Sequence, residues 1–262
     1  MRVNRTRERL SKGETVFGTS LQVYRSAEIP RTFAAAGFDY LYIDLEHGAF
    51  DFETTQDMIK ASVEAGITPI VRVCELLYSL CARLLDAGAE GIILPRVEDP
   101  ALLKEAMSWL RFPPVGRRGY GVNPTMVDYE GRSFNEIIEH QNNNTLAVVQ
   151  FETVKAMERI DELLSVPGLD IIMVGPADLS ISLGIPGQFE HPLLISTVDR
   201  LIEKCNQHGV VPGMQLRSVA LSKFWAERGM RFVGTSAEHA MLLEKSRETV
   251  AQLRTARQAQ PA

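Results

Sequence analysis

The stretch "DYLYIDLEHG", Asp39–Gly48, opens as a buried strand and closes on three groups foreign to a core. Tyr42 and Ile43 suit the interior of a sheet, but Asp44, Glu46 and His47 follow where the strand must surface. A core strand finished by two carboxylates and an imidazole points to a fold whose strand ends are working positions.

Working outward, seven more short runs rich in apolar residues punctuate the chain: "VFGTSL" from Val16, "PIVRV" from Pro69, "GIILP" from Gly91, "LAVVQFE" from Leu146, "IIMVG" from Ile171, "VVPGMQ" from Val210 and "FVGTS" from Phe232. Between them apolar side chains recur at helical spacing, as in "TTQDMIKASVEAG", "SLCARLLDAGAEG" and "LSKFWAERG". Several of these segments end in glycine (Gly37, Gly66, Gly88, Gly229), the expected helix stop. Parallel strands are covered on both faces and read as continuous apolar runs, so eight strand–helix repeats predict a (β/α)8 TIM barrel. With 262 residues and no Pro/Gly/Ser-rich linker, residues 1–262 are expected to form one barrel domain. The long irregular stretch Arg111–Phe134 interrupts the pattern, and loops of that length serve a function or an interface. The run Glu238–Arg257 reads as an amphipathic helix, with the tail "RQAQPA" expected to fray.

Apolar residues make up 45% and charged residues 23% of the chain, an ordinary soluble composition. A net charge of −5 gives no electrostatic ground for nucleic acid or for an anionic membrane, so small molecules are the expected partners. Cys74, Cys81 and Cys205 are odd in number and lack metal-ligand spacing, which suits a reducing compartment without a disulfide framework. No apolar run nears the roughly 20 residues that span a bilayer, and "MRVNRTRERLSKGE" lacks the apolar stretch of a signal peptide. The cytoplasm is the expected location.

A barrel keeps its chemistry at the C-terminal ends of its strands. There the second strand places Glu46 and His47, the third Arg72, the fifth Gln150 and Glu152, the sixth Asp178 just beyond it, and the seventh Gln215 and Arg217. Each alone has an ordinary structural reading. Five strands that all end in such groups form a mouth lined with ionisable residues. Glu152 and Asp178, two hard oxygen ligands from adjacent strands, suit Mg²⁺ or Mn²⁺ with positions left for water and substrate. Asp178 also has a capping reading at the helix that starts near "DLS", where free amides would receive a carboxylate. Asp86 falls in the last turn before Gly88, against the helix dipole, at a cost of a few tenths of a kcal/mol. Such a placement invites a functional explanation, the alternative being a carboxylate in water.

With these residues assembled, the chain resembles the metal-dependent (class II) pyruvate aldolases of the 4-hydroxy-2-oxoheptanedioate and 2-dehydro-3-deoxyglucarate aldolase family. The resemblance rests on "AGFDYLYIDLEHG", "VRV" at Val71–Val73, "LLDAGAEGIILPRVE", "RFPPVGRRGYG", "VVQFET" and "VGPADLS", in order from about Gly18 to Gly234. It implies that Glu152 and Asp178 hold a divalent ion (Mg²⁺, Mn²⁺ or Co²⁺), that the backbone of Ala177 and Asp178 holds the pyruvate carboxylate, and that Arg72 lies against the keto oxygen. It further implies that His47, paired with Asp86 of a neighbouring subunit, handles protons through water, with Asp44 in support. The implied assembly is a homo-hexamer of dimers that exchange the C-terminal helix.

The chemistry such a resemblance implies explains the residue types. A methyl group beside a ketone is a weak acid, so the enolate charge must be balanced as it forms. A Lewis-acidic ion and a fixed Arg72 each contribute a few kcal/mol, and a neutral His47 exchanges the proton. No strand ends in Lys, which agrees with a metal route rather than a Schiff base.

The segment after Arg72, "VCELLYSL", departs from the family's usual Pro/Asn/Asp-Pro turn. Gln215 and Arg217 stand where relatives carry apolar or small residues. Arg217 suits a second carboxylate on the acceptor or product, its alternative being a surface salt bridge. Arg117, Arg118 and Arg217 together support a rival reading as an aldolase-like citrate synthase that joins acetyl-CoA to oxaloacetate, with Arg118 a further substrate ligand. A barrel that binds a keto acid without turnover is the third reading.

Overall fold

The computed structural model describes residues 1–258. Eight strands close into a parallel barrel in sequential order: β1 (Val16–Leu21), β2 (Tyr40–Asp44), β3 (Thr68–Arg72), β4 (Gly91–Leu94), β5 (Leu146–Phe151), β6 (Ile171–Val174), β7 (Val211–Leu216) and β8 (Phe232–Ala237), which pairs with β1. All eight expected strands form, with ends shifted by a residue or two.

The two-residue period of a strand sorts the side chains into two cores. Leu41, Ile43, Val71, Ile92, Val149, Ile172 and Val233 face the helices in one cluster. Tyr40, Tyr42, Ile70, Ile93, Val148, Met173 and Phe232 fill the barrel in the other, where Tyr40 stacks on Phe232 with ring centres 4.0 Å apart. Tyr42 and Ile43 therefore face opposite sides. Asp44 shares the parity of Tyr40 and Tyr42, so it points inward, at the end of the barrel where the strands finish.

Local chemistry sets the helix limits. Asp51 caps the helix Phe52–Ala65 by accepting from the Thr54 N–H at 2.7 Å. Ser133 and Glu136 form a capping box on the helix Phe134–Asn144. Gly37 and Gly66 end their helices with φ of 93° and 78°. The stretch Arg111–Phe134 carries only one short 3₁₀ turn, Pro124–Val127. It runs along the helix Tyr78–Asp86, donating from the Gly119 N–H to Tyr78 Oη at 2.8 Å and from Asn123 Nδ2 to the Asp86 carbonyl at 2.7 Å. It thus covers the flank of the barrel, not its mouth. The C-terminal helix spans Glu238–Gln258; of the tail expected to fray, residues 259–262 lie outside the described residues. Among those described, no helix is long and apolar enough to cross a membrane.

Candidate active site

Register makes the centre of the site. Asp44 and Arg72 end adjacent strands and are direct partners across them. The Arg72 guanidinium grips Asp44 as a fork, with Nε to Oδ1 at 3.0 Å and Nη2 to Oδ2 at 2.7 Å. Both side chains are nearly inaccessible, at 5% for Arg72 and 0% for Asp44. Asp44 Oδ2 also accepts from Gln22 Nε2 at 2.9 Å, and Oδ1 accepts the amides of Glu46 and His47 at 3.0 and 3.2 Å. Burial pushes the Asp44 carboxyl up, but the Arg72 fork, Gln22 and the His47 amide outweigh it and hold it below its ordinary value. For Arg72 burial works to lower the pKa, and the carboxylates outweigh it to raise it. Both groups are thereby held ionised, as a fixed ion pair and not a proton shuttle. The turn that follows needs Gly48, because a Cβ there would lie 2.1 Å from the Asp44 carbonyl oxygen.

From Arg72 the network crosses the mouth. Nη1 donates to Gln150 Oε1 at 3.1 Å, and Gln150 Nε2 donates to Glu152 Oε1 at 2.5 Å. Glu152 is buried, and its carboxyl is pushed up to about 7 by burial first, then by the like charges of Asp178 and Glu46, against the pull of Arg72 and Arg96. Residue 175 is glycine where a Cβ would stand 2.7 Å from Glu152 Oε1, so a larger residue there would displace that side chain. The alternative reading of Asp178 as a helix cap is not realised. The N-cap of the helix Pro176–Ser182 is Gly175, without a side-chain cap bond, and Asp178 forms no hydrogen bond or ion pair among the described residues. Its carboxylate is free to serve as a ligand. Ala177 and Asp178 precede the first amide that bonds back into the helix, Leu179 N–H to the Gly175 carbonyl at 3.0 Å.

No group of three or more His, Cys, Asp or Glu gathers to hold an ion among the described residues. The chain offers instead two oxygen ligands that crowd each other with like charge. That donor set fits a divalent cation that keeps several positions for water or substrate.

The rim completes the mouth. Glu46 Oε2 faces Arg72 Nη1 at 2.9 Å as an ion pair without hydrogen-bond alignment, while Oε1 accepts from Arg96 Nε at 2.9 Å. His47 is exposed there; its amide binds Asp44, so Asp44 supports the turn that carries the imidazole rather than the ring itself. Gln215 points into the barrel, bonded through Nε2 to the Ser236 carbonyl at 2.8 Å, with Oε1 buried and unpaired. Arg217 is the first residue past β7 and is exposed. It makes no ion pair among the described residues, so the salt-bridge reading does not hold.

Three expected residues lie elsewhere in this chain. Asp86 ends the helix Tyr78–Asp86 beside the starts of the strands, away from the mouth, and pairs with Arg118 Nη2 at 2.6 Å. Burial pushes its carboxyl up against the pull of Arg118, and burial lowers the Arg118 pKa against the pull of Asp86. Arg118, expected among the substrate ligands, is completely buried and cannot reach the mouth of its own barrel. Its charge also resolves the placement of Asp86 against the helix dipole. Arg117 is on the surface, paired with Glu105 at 2.6 Å.

Two residues of the network escaped the sequence reading. Gln22 follows β1 and Arg96 follows β4, the latter with an uncommon φ of 53°. Each lies within two residues of its strand's end, so the strand-end rule extended to strands one and four finds both.

A closed parallel barrel whose C-terminal mouth carries a buried arginine fork and the carboxylates of Glu152 and Asp178 has its ionisable groups where barrel enzymes keep their chemistry. The family model described as HpcH/HpaI aldolase/citrate lyase matches residues 24–241. The chain belongs to that family. It is 32% identical over 253 residues to the hydroxypyruvate/pyruvate aldolase of Roseobacter denitrificans, covering 95% of this chain and 96% of the relative. Among solved structures, the HpcH/HpaI aldolase of Desulfitobacterium hafniense DCB-2 superposes with a TM-score of 0.90 at 32% identity, over 97% of each chain. Citrate synthase SbnG superposes with a TM-score of 0.81 at 30% identity, over 96% of this chain and 97% of that one.

Proposed function

We propose that the protein catalyses the reversible, divalent-metal-dependent aldol cleavage of a 4-hydroxy-2-oxo acid to pyruvate and an aldehyde. The observation that carries this reading is the continuous network from Asp44 through Arg72 and Gln150 to Glu152, facing Asp178. Arg72 is locked by Asp44 and Gln150, so its positive charge is in place before enolate charge develops on the oxo oxygen. Preorganised donors of this kind contribute a few kcal/mol. A divalent ion (Mg²⁺, Mn²⁺ or Co²⁺) held by Glu152 and Asp178 would supply Lewis acidity at the same oxygen. The amides of Ala177 and Asp178 receive the pyruvate carboxylate, and His47 moves the proton through water. Arg217, free at the rim, receives a second anionic group on the acceptor.

The same reading makes residues 1–262 one domain of a cytoplasmic homo-hexamer. The C-terminal helix leaves Leu242, Leu243, Val250 and Leu253 about half exposed or more, which suits exchange between copies. If Asp86 meets His47 of another copy, it does so as a charge already balanced by Arg118.

The likeness to citrate synthase SbnG favours a second reading, acyl transfer from acetyl-CoA to oxaloacetate. Two of the three arginines invoked for it, Arg117 and Arg118, lie away from the mouth. Incubation with a 4-hydroxy-2-oxo acid, with pyruvate followed by lactate dehydrogenase and NADH, separates the two. Pyruvate that accumulates with metal and stops with EDTA supports the aldolase; no pyruvate, with free CoA released from acetyl-CoA and oxaloacetate, replaces it with the synthase.

A further inference from the structure

Glu238, the first residue of the C-terminal helix, is 3% exposed. Its Oε1 accepts three consecutive backbone amides from the segment leaving β1, those of Gln22 at 3.0 Å, Val23, and Tyr24 at 3.0 Å. Successive amides of this kind make a concave anion cradle, and here the chain fills it with its own carboxylate from 214 to 216 residues away. The other oxygen, Oε2, faces His239 Nδ1 at 3.5 Å.

The end of β8 is built to aim this side chain. Ser236 adopts φ of 56°, a backbone that costs a non-glycine residue about 1 kcal/mol or more. Its carbonyl is pinned by Ser20 Oγ at 3.2 Å and by Gln215 Nε2 at 2.8 Å. The register of β1 on β8 shifts at the same level, between Gly18 and Ser20. Strained backbone persists only where its surroundings hold it in place, as these contacts hold Ser236.

The residue whose amide Glu238 binds is the one whose side chain holds Asp44. A path of hydrogen bonds therefore runs from Glu238 to Gln22, from Gln22 to Asp44, and on through Arg72 and Gln150 to Glu152. We infer that Glu238 is a positioning residue: by clamping residues 22–24 it sets Gln22 against Asp44, and so couples the seating of the C-terminal helix to the orientation of Arg72. The effect on turnover rests on the proposed reaction. The effect on Asp44 does not.

The amides of Glu46 and His47 donate to Asp44 Oδ1, so their protection from hydrogen exchange reports where Asp44 sits, independently of activity. The test uses full-length Glu238→Ala, Glu238→Gln and Gln22→Met. Hydrogen exchange by mass spectrometry is expected to quicken at residues 22–24 and at 46–47 in Glu238→Ala, and at 46–47 alone in Gln22→Met. Metal-dependent deuterium exchange into pyruvate is expected to fall about tenfold in both, the usual scale for residues that orient a site from behind. The double variant should fall no further than either single one, since both cut one path. Glu238→Gln keeps an acceptor oxygen and should recover part of the loss; it carries the test if the alanine variant does not fold. Faster exchange at 22–24 with 46–47 unchanged, or losses that multiply in the double variant, would reduce Glu238 to a local staple and overturn the inference. A wild-type protein inert toward pyruvate would overturn the proposed reaction, and the protection at 46–47 would still decide the coupling.

Discussion

Arg72 donates to Asp44 and Gln150 and forms an ion pair with Glu46, and its fork onto Asp44 leaves neither partner a low-cost alternative. Replacing it with alanine would strand a buried carboxylate, at a cost of about 3–5 kcal/mol, so an alanine variant confuses folding with catalysis. Arg72→Lys keeps the charge and loses the fork. It should remain folded by circular dichroism while metal-dependent exchange of the pyruvate methyl falls about 10²-fold, the usual loss for a preorganised donor. An unchanged rate would show that the charge needs no orientation. Gly175 offers a second single-residue test. A Cβ there would stand 2.7 Å from Glu152 Oε1 and push that flexible side chain aside. Gly175→Ala should weaken Mn²⁺ binding, followed by calorimetry, about 10-fold or more. Equal affinity would remove Glu152 from the ion's ligands.

At the scale of elements, the barrel strands were legible because strands covered on both faces appear as unbroken apolar runs. The strand ends were legible for the opposite reason, since ionisable groups stand out there. Which wall a residue faces was harder to see in a run such as "YLYID", where both faces are apolar and only Asp44 reveals the parity. Gln22 and Arg96 lay within reach of the same rule. The Glu238 clamp did not, because its partners are more than 200 residues away and are backbone amides that carry no residue-type signal. Asp86 was legible as an anomaly, but its balancing partner, Arg118, lies in an irregular stretch that no periodicity places. The C-terminal helix makes an element-scale prediction. Leu243, Val250 and Leu253 recur at helical spacing on an exposed face. Leu243→Glu with Leu253→Glu should shift the protein to a smaller species in sedimentation velocity; an unchanged distribution would remove this helix from the assembly contacts.

At the scale of the whole molecule, two carboxyls tie stability to pH. Glu90, at the start of β4 with its side chain 20% exposed, is pushed up from 4.5 to about 7 by burial, against the pull of Arg2. Between those values the native state holds a proton that the unfolded chain has released, so stability falls as pH rises through this window. At 1.36 kcal/mol per pKa unit the ceiling is about 3 kcal/mol. Glu152 shifts in the same direction and is common to both proteins in a comparison with Glu90→Gln. Wild type should lose stability relative to Glu90→Gln between pH 5 and pH 8 in thermal denaturation. A difference independent of pH would mean that Glu90 does not titrate there.

In the proposed reaction Arg72 stabilises the pyruvate enolate at the mouth of the barrel, where an ion held by Glu152 and Asp178 would supply Lewis acidity. The most direct measurement is proton NMR of the pyruvate methyl group in D₂O, with protein stripped by EDTA and then resupplied with Mg²⁺ or Mn²⁺. Exchange that appears only with the ion, and drops sharply in Arg72→Lys, is the predicted result. Exchange that persists in EDTA, or none with either ion, would contradict it.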